Sequence, residues 1–196
     1  MNFSEAEILQ KALQKDDVAF AELVEKYQSP VFNLCFRMLG TEVEAEDAAQ
    51  ETFWRAYRAL YSYDQNRSFI TWLLSIAAHL CIDSQRKRKV PIIEIDEFEE
   101  FDVTDHNPQP EAIIIRHQEE EMIQRMLNGL GELDRAAIIL RYWQGFSEEE
   151  IAAALSISVS AVKSRLHRSR QNLARVISQN ESPLPVERQK NGTSAL

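Results

Sequence analysis

Six side chains between positions 160 and 171 have the types and spacing to grip nucleic acid. Ser160, Lys163, Ser164, His167, Arg168 and Gln171 recur at i, i+3, i+4, i+7, i+8 and i+11, so on an α-helix they project together. None is acidic, Arg165, Arg170 and Arg175 flank them, and no Asp or Glu occurs from 152 to 180. Such a stripe releases counterions from phosphates while Lys163 or Arg168 reaches for guanine edges. A second set is acidic: Glu46, Asp47, Gln50 and Glu51 beside Trp54. Carboxylates and an amide on one helix face suit an Arg-rich partner, although such a face taken alone more often serves solubility. A third set lies in the polar stretch 61–68, where Tyr63, Asp64, Gln65 and Asn66 bring a ring and hydrogen-bonding groups together. Downstream, Arg86, Lys87, Arg88 and Lys89 form a run of four cations that suits phosphates or is a plain charged helix end.

Catalytic chemistry finds no comparable footing. His79, His106, His117 and His167 are scattered, with no H-x-x-x-H or Cys/His metal spacing. No Gly-rich phosphate loop or nucleophile motif occurs. The expectation is a protein that is not an enzyme, with no cofactor, no metal and no small-molecule substrate. Cys35 and Cys81 stand far apart among apolar neighbours and read as buried free thiols in a reducing compartment.

The elements that must position these groups are helices. With 5 Gly, 6 Pro and 44% hydrophobic residues in 196, the chain lacks strand-like alternation and its apolar residues recur at helical spacing. Helices are expected over 5–15 and 18–28, then a third opened by Pro30, with Val31, Leu34, Cys35 and Met38 inward and Gly40 as its stop. Thr41 and Glu44 form a capping box for a long helix to Leu60 that buries Ala49, Phe53, Ala56, Tyr57 and Leu60. Phe69, Trp72, Leu73, Ile76, Ala77, Leu80 and Cys81 mark the stripe of another, which makes Trp72 a core residue. In the C-terminal half Asp134 is expected to cap a short helix. Ser147 to Glu150 form a capping box for the next, 156–158 make a tight turn, and a last helix puts Val162, Leu166, Leu173 and Val176 inward. This is the sequence form of a helix-turn-helix. The net charge of -9 argues against nucleic acid only as an average, because charge is segregated: 91–110 is acidic and the last helix basic.

The segment from Glu44 to Phe53 (EAEDAAQETF) resembles the most distinctive motif of the sigma-70 family, in the part that docks on the polymerase core. Residues 69–77 (FITWLLSIA) with Asp83 resemble its promoter-melting region, and 159–170 (VSAVKSRLHRSR) its reader of the upstream promoter element. The order and spacing hold from about 16 to 177, and the missing intervening domain resembles the extracytoplasmic-function (ECF) group. The resemblance implies an all-α protein of two small helical domains. Residues 1–90 would be region 2, 91–111 a flexible acidic linker, 112–179 region 4 and 180–196 a disordered tail. It implies that Glu46, Asp47, Gln50, Glu51 and Trp54 grip a basic coiled coil of core RNA polymerase. Tyr63, Asp64, Gln65, Asn66, Ser75, His79, Arg86, Lys87 and Arg88 would serve the minus-ten element. Ser160, Lys163, Ser164, Arg165, His167, Arg168 and Gln171 would read the minus-thirty-five element. Ser75 and His79 stand where arginine and asparagine are more usual in the family.

The expected partners are core RNA polymerase and promoter DNA, with an anti-sigma protein as a further candidate. Neither a signal peptide nor a membrane span is expected, which predicts a cytoplasmic protein. Glu94 to Asp105 of the linker either solvates or imitates nucleic acid inside polymerase. The competing function is an operator-binding regulator that works without polymerase. It leaves the acidic helix and the melting-like loop without a shared purpose.

Overall fold

Local chemistry sets most of the helix starts. Ser4 and Glu7 form a reciprocal capping box for α1 (Glu5–Leu13). Asp16 accepts from the Val18 and Ala19 amides at 3.0 and 3.1 Å to open α2 (Asp17–Leu39). Thr41 accepts from the Glu44 amide to open α3 (Glu42–Ala59), which runs into a single 3-10 turn, Leu60–Ser62. Each of these oxygens satisfies an amide that the helix itself leaves unpaired. The remaining helices are α4 (Phe69–Lys89), α5 (Glu111–Asn128), α6 (Glu132–Tyr142), α7 (Glu148–Leu155) and α8 (Val159–Asn180). The structure, a computed structural model, describes residues 4–89 and 111–180, and among them there is no strand. The all-α expectation holds. The acidic linker and the C-terminal tail lie outside the described residues.

Three local expectations are corrected. Pro30 does not open a new helix: α2 runs through it without interruption. A proline inside a helix costs about 3 kcal/mol through one lost hydrogen bond and a clash. Burial of Leu23 and Tyr27 before it, and of Val31, Leu34 and Met38 after it, keeps both halves on one core and outweighs that cost. Asp134 does not cap α6, whose N-cap is Gly131; its carboxylate turns to α8 instead. Val176 remains exposed, because α8 outruns the helices it packs on.

The first module, α1 to α4, closes around Leu23, Val31, Leu34, Leu73 and Ala77, with Cys35 and Cys81 buried as free thiols. A hydrogen bond with the Cys35 sulfur, then burial, pushes the Cys81 thiol up, so it stays protonated. In the second module the Ser147–Glu150 capping box forms as expected. Ser156 takes the left-handed conformation at φ 55° between α7 and α8, which completes the helix-turn-helix. The two modules also pack against each other, with α6 and α7 seated on α4 and α2. Gly40 sits at this seam with φ 92°, and a Cβ there would come within 3.1 Å of the Gln124 side-chain nitrogen. Only glycine serves both demands.

Candidate functional site

On α3 the fully buried residues are Ala45, Thr52 and Ala56, with Leu60 just beyond; of the expected set Ala56 and Leu60 are buried, Ala49 and Phe53 are half-buried against the core, and Tyr57 is exposed. The stripe is rotated by part of a turn because Thr52 returns its hydroxyl to the Ala48 carbonyl at 2.7 Å and is buried as a spacer. The displaced apolar residues face a groove between α2 and α3 of about 550 Å³, lined by Val24, Phe32, Ala49 and Phe53, with Glu46, Gln50, Gln28 and Asn33 at its edge. A second hollow of about 370 Å³ continues past Phe20, Phe53, Trp54 and Tyr57. Trp54 is 56% exposed and stacks on Tyr57 at 6.5 Å between centroids. Tyr57 donates to Asp17 at 2.7 Å, a bond that raises its phenol pKa.

Glu46, Gln50 and Trp54 therefore edge a trough of mixed lining, apolar at Val24, Phe32, Ala49 and Phe53 and polar at Gln28, Ser29 and Asn33, with Asp47 exposed on the solvent side. Glu51 is half-buried and accepts from Arg55 at 2.7 Å. The sequence signalled the acids but not the trough. Ala49 and Phe53, expected inward, pack against the core on one side and line the groove on the other.

The loop before α4 is organised differently from the expectation. Tyr63 is 7% exposed, wedged against Phe69 and Trp72 at 5.5 and 5.2 Å between centroids. Its hydroxyl donates to the Arg67 carbonyl, and burial raises its pKa. It is a floor under the loop and presents no free ring. Asp64 accepts from the Asn66 amide and side chain at 3.0 and 2.9 Å, and these bonds hold its carboxyl below the usual aspartate range. Gln65 accepts from Gln10 at 2.6 Å. The aromatic that does stand free is Tyr61, 88% exposed. Nothing in the tyrosine spacing separated it from Tyr63; the 3-10 turn decides which ring points out.

Helix α4 is covered round most of its circumference. Its open strip carries Ser75, His79, Asp83 and Arg86, beside the half-buried Trp72, which leans on the core with a free edge. The His79 Nδ1 lies 2.8 Å from the Ser75 carbonyl, and Ser75 donates to the Trp72 carbonyl at 2.6 Å, so both point along one line. Arg86 and Lys87 are exposed. Arg88 is paired with Glu44 of α3, which ties the end of α4 to the start of α3.

Helix α8 presents Ser160, Lys163, Ser164, His167, Arg168 and Gln171 together in solvent. Ser164 donates back to the Ser160 carbonyl at 3.0 Å, and Gln171 meets the His167 ring at 3.0 Å. Lys163 keeps a loose contact with Glu148 at 3.6 Å. Arg165 is placed apart from this face: it is half-buried and bonds Asp134 at 2.6 Å. It therefore braces α8 against α6. Arg168 lies 3.7 Å from the same carboxylate while 60% of its side chain stays exposed, so Asp134 aims it without using it up.

Residues 23–90 match the family Sigma-70 region 2, and 120–173 match Sigma-70, region 4. The chain is 38% identical over 165 residues to the ECF RNA polymerase sigma factor SigW of Bacillus subtilis, covering 81% of this chain and 88% of that one. It is 32% identical over 178 residues to the RNA polymerase sigma-H factor of Pseudomonas aeruginosa, covering 87% and 92%. Among solved structures it resembles CnrH, determined in complex with the cytosolic domain of CnrY, with a TM-score of 0.68, 24% identity and coverage of 88% and 96%. It also resembles the sigma factor RpoE of Bartonella quintana, determined with the anti-sigma factor NepR, with a TM-score of 0.60, 23% identity and coverage of 81% and 96%. The operator-binding alternative finds no support in these likenesses. With region 2 and region 4 in order on one chain and relatives that match nearly end to end, this protein belongs to the extracytoplasmic-function sigma factors of the sigma-70 family.

Proposed function

We propose that this sigma factor holds core RNA polymerase in the trough between α2 and α3, opens the minus-ten element with α4 and its preceding loop, and reads the minus-thirty-five duplex with α8. The observation that supports the docking assignment is a trough with apolar residues Val24, Phe32, Ala49 and Phe53 along it, beside a helix face that carries Glu46, Asp47 and Glu51. Apolar residues supply contact area, while Glu46, Asp47 and Glu51 select a basic partner and steer its approach. Gln50 adds an amide that can donate and accept. A helix or coiled coil rich in Arg, with one apolar seam, fits both parts.

On the DNA side, Ser75, His79 and Arg86 make the strip of α4 that is free to meet a strand, with Arg86 and Lys87 toward phosphates. Tyr61 is the exposed ring available to stack on a base drawn out of the duplex. Tyr63 fixes the loop from beneath, and Asp64, Gln65 and Asn66 form its polar rim. On α8, Lys163 and Arg168 reach base edges or phosphates, and Ser160, Ser164, His167 and Gln171 complete a face without negative charge. Arg165 serves by positioning. The protein supplies no bond-making step: synthesis of RNA is the polymerase's chemistry. Work on polymerase places the chain in the cytoplasm, in keeping with the absence among the described residues of any helix long and apolar enough to cross a membrane. An anti-sigma protein is a further partner in this reading, supported by the complex in which the Bartonella relative was determined.

Run-off transcription by purified bacterial core polymerase, with and without the protein, on genomic fragments tests the assignment. Start-site-specific transcripts should appear with the protein and vanish when Asp47, Gln50 and Glu51 are changed to Ala. Protection of a specific duplex by the protein alone, with no start site, would overturn it.

A further inference from the structure

On the open strip of α4, Ser75 and His79 have no hydrogen left to give. The Ser75 hydroxyl carries a single hydrogen, and it goes to the Trp72 carbonyl at 2.6 Å. His79 Nδ1 lies 2.8 Å from the Ser75 carbonyl. A carbonyl only accepts, so Nδ1 must hold the hydrogen, and in the neutral ring Nε2 is left as a bare acceptor. Asp83, exposed one turn further on, only accepts as a carboxylate. Ser75, His79 and Asp83 stand at i, i+4 and i+8, so they follow one another along the helix surface. That line shows lone pairs and no hydrogen.

The α8 face is the opposite case: Lys163 and Arg168 donate and never accept, which suits phosphates and guanine. On the edge that bases turn to the major groove, adenine N6 and cytosine N4 are the donors, while guanine N7 and O6 and thymine O4 are acceptors. An acceptor on the protein therefore pairs with an amine on the base. Against guanine or thymine it sets lone pair against lone pair. Reach singles out His79 within the line, because the Ser75 hydroxyl is short and half-buried whereas the imidazole is exposed. The bond at Nδ1 fixes the ring and leaves Nε2 on its other side. Arg86 and Lys87, exposed near the end of α4, supply cations for the flanking phosphates.

We propose that His79 determines specificity at one minus-ten position by selecting a base with an exocyclic amine, accepting from adenine N6 or cytosine N4 at Nε2. This rests on the reading of α4 as the helix that meets the minus-ten element. A free imidazole offers either nitrogen as the donor and tolerates both classes of base; the helix removes that freedom. Ser75 acts by position. Its carbonyl sets the tautomer of His79, and its own hydroxyl, tied to Trp72, has no hydrogen to supply to guanine or thymine. The selection is thus built from two side chains whose protons the backbone has taken, and it excludes as well as attracts.

Run-off transcription by core polymerase carrying the full chain tests the contact, on a promoter that the wild type uses, with each minus-ten position set in turn to every base pair. At one position the wild type should favour adenine or cytosine over guanine or thymine on one strand by about tenfold, the yield of one good base contact. His79→Leu should bring that ratio within about twofold by removing the contact. His79→Lys, which only donates, should turn the preference toward guanine, whose O6 and N7 accept. Where the preferred base is adenine, its replacement by purine without the 6-amino group should cost the wild type the same factor and His79→Leu nothing; where it is cytosine, the analogue without the 4-amino group serves. Circular dichroism should show the variants as helical as the wild type, since His79 is exposed. If His79→Lys fails to fold, His79→Leu and the base analogue decide. Start sites with no amine preference at any position, a preference that survives His79→Leu, or an analogue used as well as the natural base would overturn the contact alone. A wild type that directs no start site at all overturns the sigma reading and this contact with it.

Discussion

Removal of the Asp134 carboxylate should loosen helix α8 at Arg165 and also release Arg168, which lies 3.7 Å from the same carboxylate. Asp134 bonds Arg165 at 2.6 Å, with the two side chains 21% and 27% exposed. Exposed ion pairs contribute about 0–1 kcal/mol, and breaking a buried one costs about 3–5 kcal/mol. A pair roughly three-quarters buried belongs between them. Its loss is aggravated because the Arg165 Nε already lacks a partner, so Asp134→Ala strands a guanidinium in a poorly solvated place. The expected cost is about 2 kcal/mol, which for a unit of this module's size lowers Tm by roughly 10 °C. Asp134→Asn retains an acceptor and should cost less than half of that. The assay is a double-mutant cycle by thermal circular dichroism on Asp134→Ala, Arg165→Met and the double variant. A coupling of about 1–2 kcal/mol is expected. Additivity within about 0.5 kcal/mol would refute the brace and return Arg165 to the DNA-reading set.

Lys163→Ala and Arg168→Ala should each lower the slope of holoenzyme–promoter affinity against log salt by about 1, while Arg165→Met should shift melting and leave that slope unchanged; filter binding across a salt series separates the two. Tyr61→Ala should abolish or strongly slow promoter opening, read by 2-aminopurine fluorescence, with no change in Tm. Tyr63→Ala should instead cost about 3 kcal/mol of stability by vacating a packed aromatic site. Glu5 is bonded by Lys26 and Tyr27, and these bonds hold its carboxyl below the ordinary value of 4.5. A depressed carboxylate stabilises the fold above its unfolded pKa and loses that contribution as pH falls through the folded one. Glu5→Gln should therefore lower Tm at neutral pH, and the gap from wild type should close below about pH 4; a gap independent of pH would count against the bond to α2.

The groups proposed to meet DNA were legible because they share one helix face, and a helix face is a property of spacing alone. The α8 stripe emerged in solvent as expected, save for Arg165. What removed Arg165 was Asp134, thirty-one positions upstream, and no local periodicity registers a partner that distant. The same limit explains Tyr61 and Tyr63: two tyrosines flanking a turn look equivalent until the 3-10 geometry of Leu60–Ser62 sends one into the Phe69–Trp72 cluster. On α3 the failure was one of phase. Thr52 counts as polar in any pattern, yet it is fully buried with its hydroxyl bonded to the backbone, and accepting it into the core leaves Ala49 and Phe53 half-buried at the core's edge, where they also line the trough.

Helix α4 shows how one sequence can satisfy three surfaces at once. Its arc from Phe69 through Leu73 to Ala77 faces its own module, the arc from Thr71 through Leu74 to Ala78 faces the other, and the remaining strip with Ser75 and His79 faces solvent. Only the strip is polar, because it alone stays wet. The second arc is apolar but small, with Thr71 and Ala78 on it. A helix meant only for a stable core would fill that arc with leucine or isoleucine, as Leu74 and Ile82 do in part; a helix meant only for DNA would carry polar groups there. The mixture gives the α4 contact with α6 and α7 a modest apolar area beside a polar strip that stays in solvent.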